Sequence, residues 1–147
     1  MESFERLKAW IAKPKDPLPP PDTRLALGVL LVRVAKADKV YLFEELEQID
    51  RVLARLNGIN ALQAAKLRAM CERLEEAISD TAAFANLLRT YVAYEQRVAM
   101  IEALWQVVIA DGIEQRQELA LVEWVQSDLG VEQKDCEAAR AKAFNET

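Results

Sequence analysis

A chain of 147 residues, 52% hydrophobic and 29% charged, is long enough to bury a sizeable core and too apolar to stay disordered. Its net charge of −5 argues against a nucleic-acid partner, since phosphates demand a basic face, and favours a bound cation or a basic surface. It has no histidine, which removes Ser-His-Asp and Cys-His nucleophiles, His-containing zinc sites and a His general base.

In chain order, Phe4, Leu7, Trp10 and Ile11 recur at helical spacing and predict a short amphipathic helix over 2–12. Such a segment suits a membrane surface, a partner, or its own domain. All five prolines lie between Pro14 and Pro21, which reads as a stiff, extended connector. Asp22 or Thr23 then caps a helix over 24–37 that is apolar nearly all round, from Leu25 to Val34. The next helix, about 42–56, carries the stripe Leu42, Leu46, Ile49, Val52, Leu53 and Leu56, and stops at Gly58 followed by Ile59. Asn60 caps a third helix striped by Leu67, Met70, Cys71, Leu74 and Ile78. Asp80 caps a fourth near 81–91, with Phe84, Leu87, Leu88 and Tyr91. No clear breaker marks 92–96, so the sequence leaves open whether the next helix, about 97–110, runs on from it. That helix is also apolar nearly all round, and with 24–37 it is expected to form the centre of the bundle. Helices at about 115–129, ending at Gly130 and Val131, and at about 132–144 close the chain. Trp10, Trp105 and Trp124 read as core or helix-contact residues, and the basic residues of 51–73 as a solvated face with helical ion pairs. Glu102 stands on an apolar helix, facing solvent or pairing with Arg97 or Arg140.

No stretch approaches the roughly 20 apolar residues of a membrane span, and the charged start does not read as a signal peptide. Cys71 and Cys136 sit alone in helical patterns and look like reduced thiols of a cytoplasmic protein. The expected architecture is all-α: a helical bundle of about seven to eight helices with an internal, pseudo-twofold duplication. Residues 1–21 form the lead segment and 22–147 the domain, with halves at about 22–78 and 95–144.

The duplication is read from one shift. Moving 24–56 by 73 residues onto 97–129 leaves 10 of 33 positions identical, among them Leu31, Val34, Ala37, Asp38, Glu45 and Leu46 against Leu104, Val107, Ala110, Asp111, Glu118 and Leu119. Each copy has an aspartate where one helix stops and a glutamate where the next starts. In an antiparallel helix pair this puts both carboxylates beside one short turn. Were the two turns to meet across a pseudo-twofold axis, Asp38, Glu45, Asp111 and Glu118 would crowd together and need a cation or protons. Oxygen-only ligands suit Ca²⁺ or Mg²⁺. The plainer reading makes each Glu a helix-start residue that complements the dipole or closes a capping box, and Asp111-Gly112 ordinary turn chemistry. An aspartate at a helix C-terminus, repeated, fits that reading less well. The first copy departs from the second. Lys39 replaces Gly112, with Lys36 close by, so a lysine can stand in for the cation, and Tyr41 and Phe43 replace Glu114 and Arg116.

On Ala37-Asp38 with Glu45, Ile101-Glu102-Ala103-Leu104-Trp105, Ala110-Asp111-Gly112-Ile113 with Glu118, and Asp128-Leu129-Gly130-Val131, the chain resembles the tellurite-resistance TerB-like family over about 22–144. The resemblance implies an all-helical duplicated domain, an acidic metal-associated site, and a part in stress responses through protein complexes near the membrane. A related domain occurs beside a J-domain in membrane-bound co-chaperones; without histidine this chain has no His-Pro-Asp motif.

Three functions compete. The leading one is a non-enzymatic module that binds a divalent cation through Asp38, Glu45, Asp111 and Glu118 and has a protein partner, with peripheral membrane association allowed. The second is a purely structural adaptor whose carboxylates only cap helices. The third, less favoured, is a metal-dependent hydrolase.

Overall fold

The computed structural model describes residues 23–37, 41, 43–110 and 116–145. The expected helix over 2–12, the proline connector, and Asp22, Asp38, Lys39, Leu42, Asp111, Gly112 and Glu114 lie outside these residues. The described residues form seven helices and no strand: α1 (Thr23–Ala35), α2 (Phe43–Asn57), α3 (Ala61–Ala77), α4 (Thr81–Tyr91), α5 (Tyr94–Val108), α6 (Arg116–Asp128) and α7 (Gln133–Asn145). The all-helical architecture is the expected one.

The all-round apolarity of α1 places it at the centre, where it packs against α2, α3, α4, α5 and α6. Of its 13 residues, Leu25 to Val32, Val34 and Ala35 are buried. Such contact on every side needs small residues somewhere. At Gly28 a Cβ would collide with the Cys71 thiol, so glycine lets α1 and α3 approach closely. The second apolar helix, α5, packs on α1, α2, α4, α6 and α7. Its first two turns are only half-buried, and burial becomes continuous from Ala103 to Ile109.

The boundaries follow from local chemistry. Asn60 accepts from the Gln63 amide at 2.8 Å while the Gln63 side chain accepts from the Asn60 amide at 3.0 Å, the reciprocal capping box. Asp80 accepts from the Ala83 amide and starts α4. Gly58 and Gly130 take positive φ, 62° and 69°, where the last carbonyls of α2 and α6 are closed off. The junction left open at 92–96 is a break: α4 stops at Tyr91 because Val92 and Ala93 are extended, with no glycine or proline involved. Tyr91, placed in the apolar stripe of α4, is therefore a helix-end residue and 62% exposed. Leu56, in the last turn of α2, is likewise exposed, and Trp124, expected to be a core or helix-contact residue, is 44% exposed on the outer face of α6.

Buried charge ties the helices together. Arg33 on α1 donates from Nε to Glu75 Oε2 (3.1 Å), from Nη1 to Ser79 O (3.2 Å) and Thr81 Oγ1 (2.9 Å), and from Nη2 to Glu75 O (2.7 Å) and Ile78 O. Lys36 also donates to Glu75, at 2.7 Å. Burial alone would push the Glu75 carboxyl up, but the hydrogen bonds and charges of Lys36 and Arg33 outweigh it and hold the carboxyl below its ordinary 4.5. A depressed folded pKa stabilises above the unfolded value and loses that contribution as pH falls through the folded one. The stability advantage of the native chain over Glu75→Gln is thus expected to shrink as pH falls below about 4.5, in urea melts across pH 3–7. An advantage unchanged down to pH 3 would contradict it.

On the basic face of 51–73 the expected ion pairs are present. Arg51–Glu47 (3.5 Å) is exposed, whereas Arg68 reaches Asp50 (2.6 Å) and Glu72 (3.1 Å) with only 16% of its side chain exposed, so it joins α2 to α3 rather than facing water. Glu102 is 13% exposed and pairs with Lys142 at 3.5 Å, a partner contributed by α7.

Candidate functional site

α1 and α5 end in the same way. Lys36 N donates to Val32 O and Ala37 N to Val34 O; 73 residues later, Ile109 N donates to Trp105 O and Ala110 N to Val107 O. A tightened last turn closes both helices, which end at Ala35 and Val108, each three positions before the aspartate of its copy. On the far side of each turn the glutamates fall at equivalent places: Glu45 is the third residue of α2 and Glu118 the third of α6.

Both glutamates are buried, Glu45 at 0% and Glu118 at 2% exposure. Surface helix-start glutamates normally keep their carboxylates in water, because withdrawing an ionised carboxylate is expensive unless it is compensated. The neighbouring Glu44 is exposed, so burial singles out the residue shared by the two copies. Neither side chain is without interactions of its own. Each also sits in the first turn of a helix, where the dipole favours an anion. Among the described residues no three His, Cys, Asp or Glu side chains come together as a metal-holding group. The convergence of all four carboxylates depends on Asp38 and Asp111, outside those residues.

The first turn has an anchor of its own. Tyr41 is half-buried against the core, whereas Phe43, two residues on, is 67% exposed. Burial pushes the Tyr41 phenol well above its usual range, and the Glu72 carboxylate adds to this. Lys36, considered as a stand-in for a cation beside Asp38 and Glu45, instead engages Glu75 at 2.7 Å and Glu76 at 4.0 Å on α3.

A second feature escaped the sequence reading. A groove of about 470 Å³ runs between α6 and α7, with Trp105 of α5 and Gln126 of α6 among its walls. Trp105 Nε1 donates to Gln126 Oε1 at 2.9 Å, and the Arg140 guanidinium lies 4.6 Å from the Trp105 ring centroid. Cys136 also lines it, its thiol pushed up first by burial and then by Asp135 and Glu137. One signal was available. Val32 and Leu53, the residues 73 positions earlier, are fully buried aliphatics, and the second copy replaces them with a mutually hydrogen-bonded Trp and Gln.

No helix among the described residues is long and apolar enough to cross a membrane. No curated protein and no solved structure matches the chain significantly. The sequence profile of the family described as tellurite resistance protein TerB matches residues 24–141, which takes in all seven helices from α1 into α7. That span covers most of the chain, and the all-helical fold and the resemblance in the repeated Ala-Asp motifs agree with it. The chain belongs to the TerB tellurite-resistance family.

Proposed function

We propose that the chain is a non-enzymatic, stress-associated helical module that binds a divalent cation through two Asp/Glu pairs, Asp38 with Glu45 and Asp111 with Glu118, and works within a protein complex. The observation that supports this best is the burial of Glu45 and Glu118 at matching positions of α2 and α6. A buried carboxylate stays ionised only where its charge is offset. The helix dipole offsets part of it, and a hard cation shared with the aspartate of the same turn would offset more. Carboxylate oxygens suit Ca²⁺ or Mg²⁺ and not a thiophilic ion. The cation would fasten the end of one helix to the start of the next, and binding would stabilise the fold by mass action. Membership of a family named for tellurite resistance supports the stress association.

Calorimetric titration of metal-stripped protein with CaCl₂ and MgCl₂ is the direct test. Binding of one ion, weakened at least tenfold in Glu118→Gln, is the expected result. No binding heat from either ion in a folded protein would leave the adaptor reading, which the exposed Phe43, Leu62 and Trp124 favour.

A further inference from the structure

Among the described residues, every helix but α7 seats branched aliphatic or aromatic side chains in the core, from Leu67 and Leu74 on α3 to Phe84 and Leu88 on α4 and Val122 and Val125 on α6. The buried side chains of α7 are Cys136, Ala139 and Ala143. They form one narrow stripe, which lets α7 lie close against α5. They take little apolar surface out of water, however, and the hydrophobic gain scales with that surface.

α7 also has α5 as its one substantial neighbour, whereas each of the other helices packs on at least two. Its flank toward α6 borders the groove of about 470 Å³, through Gln133, Glu137 and Arg140. The contrast is α3, which follows α2 as α7 follows α6. Beyond its two buried leucines, α3 is bridged to α2 by Arg68–Asp50 (2.6 Å) and to α1 by Glu75 with Arg33 (3.1 Å) and Lys36 (2.7 Å).

The polar links of α7 are unevenly placed. Along its length, Lys142 reaches Glu102 at 3.5 Å but is 66% exposed, the kind of ion pair that adds little. Arg140, itself exposed, lies over the Trp105 ring. The closer bonds gather before and within the first turn. Tyr94 Oη donates to Asp135 and accepts from the Glu132 amide at 3.1 Å, and Arg97 donates to the Leu129 carbonyl. The loop into α7 is thus held to α5, while the rest of the helix rests on alanines. A free helix of 13 residues is marginal in water, so α7 released from α5 would lose its hydrogen bonds rather than persist as a rod.

We propose that α7 beyond Asp135 is a lid. It opens from α5 as a unit about a pivot fixed by Tyr94, while α1 to α6 stay folded, and it uncovers the Cys136 thiol and the face of Trp105 beneath Arg140. Elements that move in switching are drawn from the least stable part of a fold, and α7 is that part here. The proposal does not depend on a bound cation.

Hydrogen exchange of the full chain under native conditions tests it. After correction for intrinsic rates, the amides of 137–143 are expected to exchange at least about 100-fold faster than those of 27–34 in α1. They should also respond only weakly to urea below the unfolding transition, because a local opening exposes little surface, whereas the α1 amides should accelerate with urea. The native thiols give a second reading: Cys136 should be alkylated at least tenfold faster than Cys71, which is 0% exposed in the core. Amides of 139–143 as protected as those of α1 would overturn the proposal, even with fast alkylation of Cys136, whose thiol would then be reached through the groove. So would exchange of α6 and α7 at one common rate, since the two would then open together.

Discussion

Trp105→Ala is expected to destabilise the protein by about 3–5 kcal/mol, the usual range for truncating a fully buried tryptophan. Trp105 is 2% exposed and, among the described residues, is the largest fully buried side chain. Its removal deletes packing on α5, strips the Gln126 amide oxygen of its indole donor at 8% exposure, and removes the ring beneath Arg140. For a domain of this size the loss corresponds to roughly 6–20 °C in melting temperature. Urea denaturation followed by circular dichroism measures it. Adding Gln126→Leu should recover part of the loss, because the stranded amide is then replaced by an aliphatic, as at Leu53 in the first copy. Trp124→Ala, by contrast, should cost well under 1 kcal/mol in stability, since surface positions usually do. A loss below 1 kcal/mol for Trp105→Ala would contradict this account of the core.

The second large effect is expected at Arg33. All three guanidinium nitrogens are engaged, and most of the acceptors are carbonyls or carboxylates at the end of α3 and the start of α4. The C-terminus of α3 is where unsatisfied carbonyls and the negative end of the dipole collect, so a cation there is favourable twice over. Only 13% of the side chain is exposed. Arg33→Leu keeps the apolar stem and removes the fork, and it should cost about 3 kcal/mol. Arg33→Lys should recover little, because one ammonium cannot reach five acceptors held in a planar array. Full recovery with lysine, read from urea midpoints, would mean that charge alone matters there.

The helices were legible because their signals are local. Asn60 with Gln63, Asp80 with Ala83, and the two glycines at 58 and 130 each set a boundary by bonds within a few residues. The apolarity of 24–37 was legible for a global reason that also leaves a local trace, since a helix packed against five others has no room for a polar face. The break at Val92 left no such trace: it is a pair of extended residues of ordinary type, stabilised by the packing of α4 and α5 on the rest. Trp124 was misassigned because aromatic type signals contact but not which side of a helix the contact lies on. The groove was illegible for a related reason. It arises from the spacing of α6 and α7, and no single residue of either helix encodes it.

Of the four candidate carboxylates, Glu45 and Glu118 fall within the described residues. The 73-residue repeat singled out Glu45 and Glu118, and burial then separated them from an exposed neighbour such as Glu44 that has equal claim to the helix dipole. The role of Lys36 depended on Glu75, 39 residues away in sequence, and could not be read from its proximity to Asp38. Long-range pairing of charges is the part of a helical bundle that periodicity does not carry.

The central claim is the cation. A thermal melt of metal-stripped protein with and without millimolar Ca²⁺, Mg²⁺, Mn²⁺ or Zn²⁺, beside the Asp111→Asn variant, tests it most directly. At an ion concentration 100 times Kd the expected gain is about 2.7 kcal/mol, or roughly 5–10 °C, for Ca²⁺ or Mg²⁺, and it should be lost in the variant. Equal melting temperatures with every ion, or a rise that Asp111→Asn leaves untouched, would contradict it.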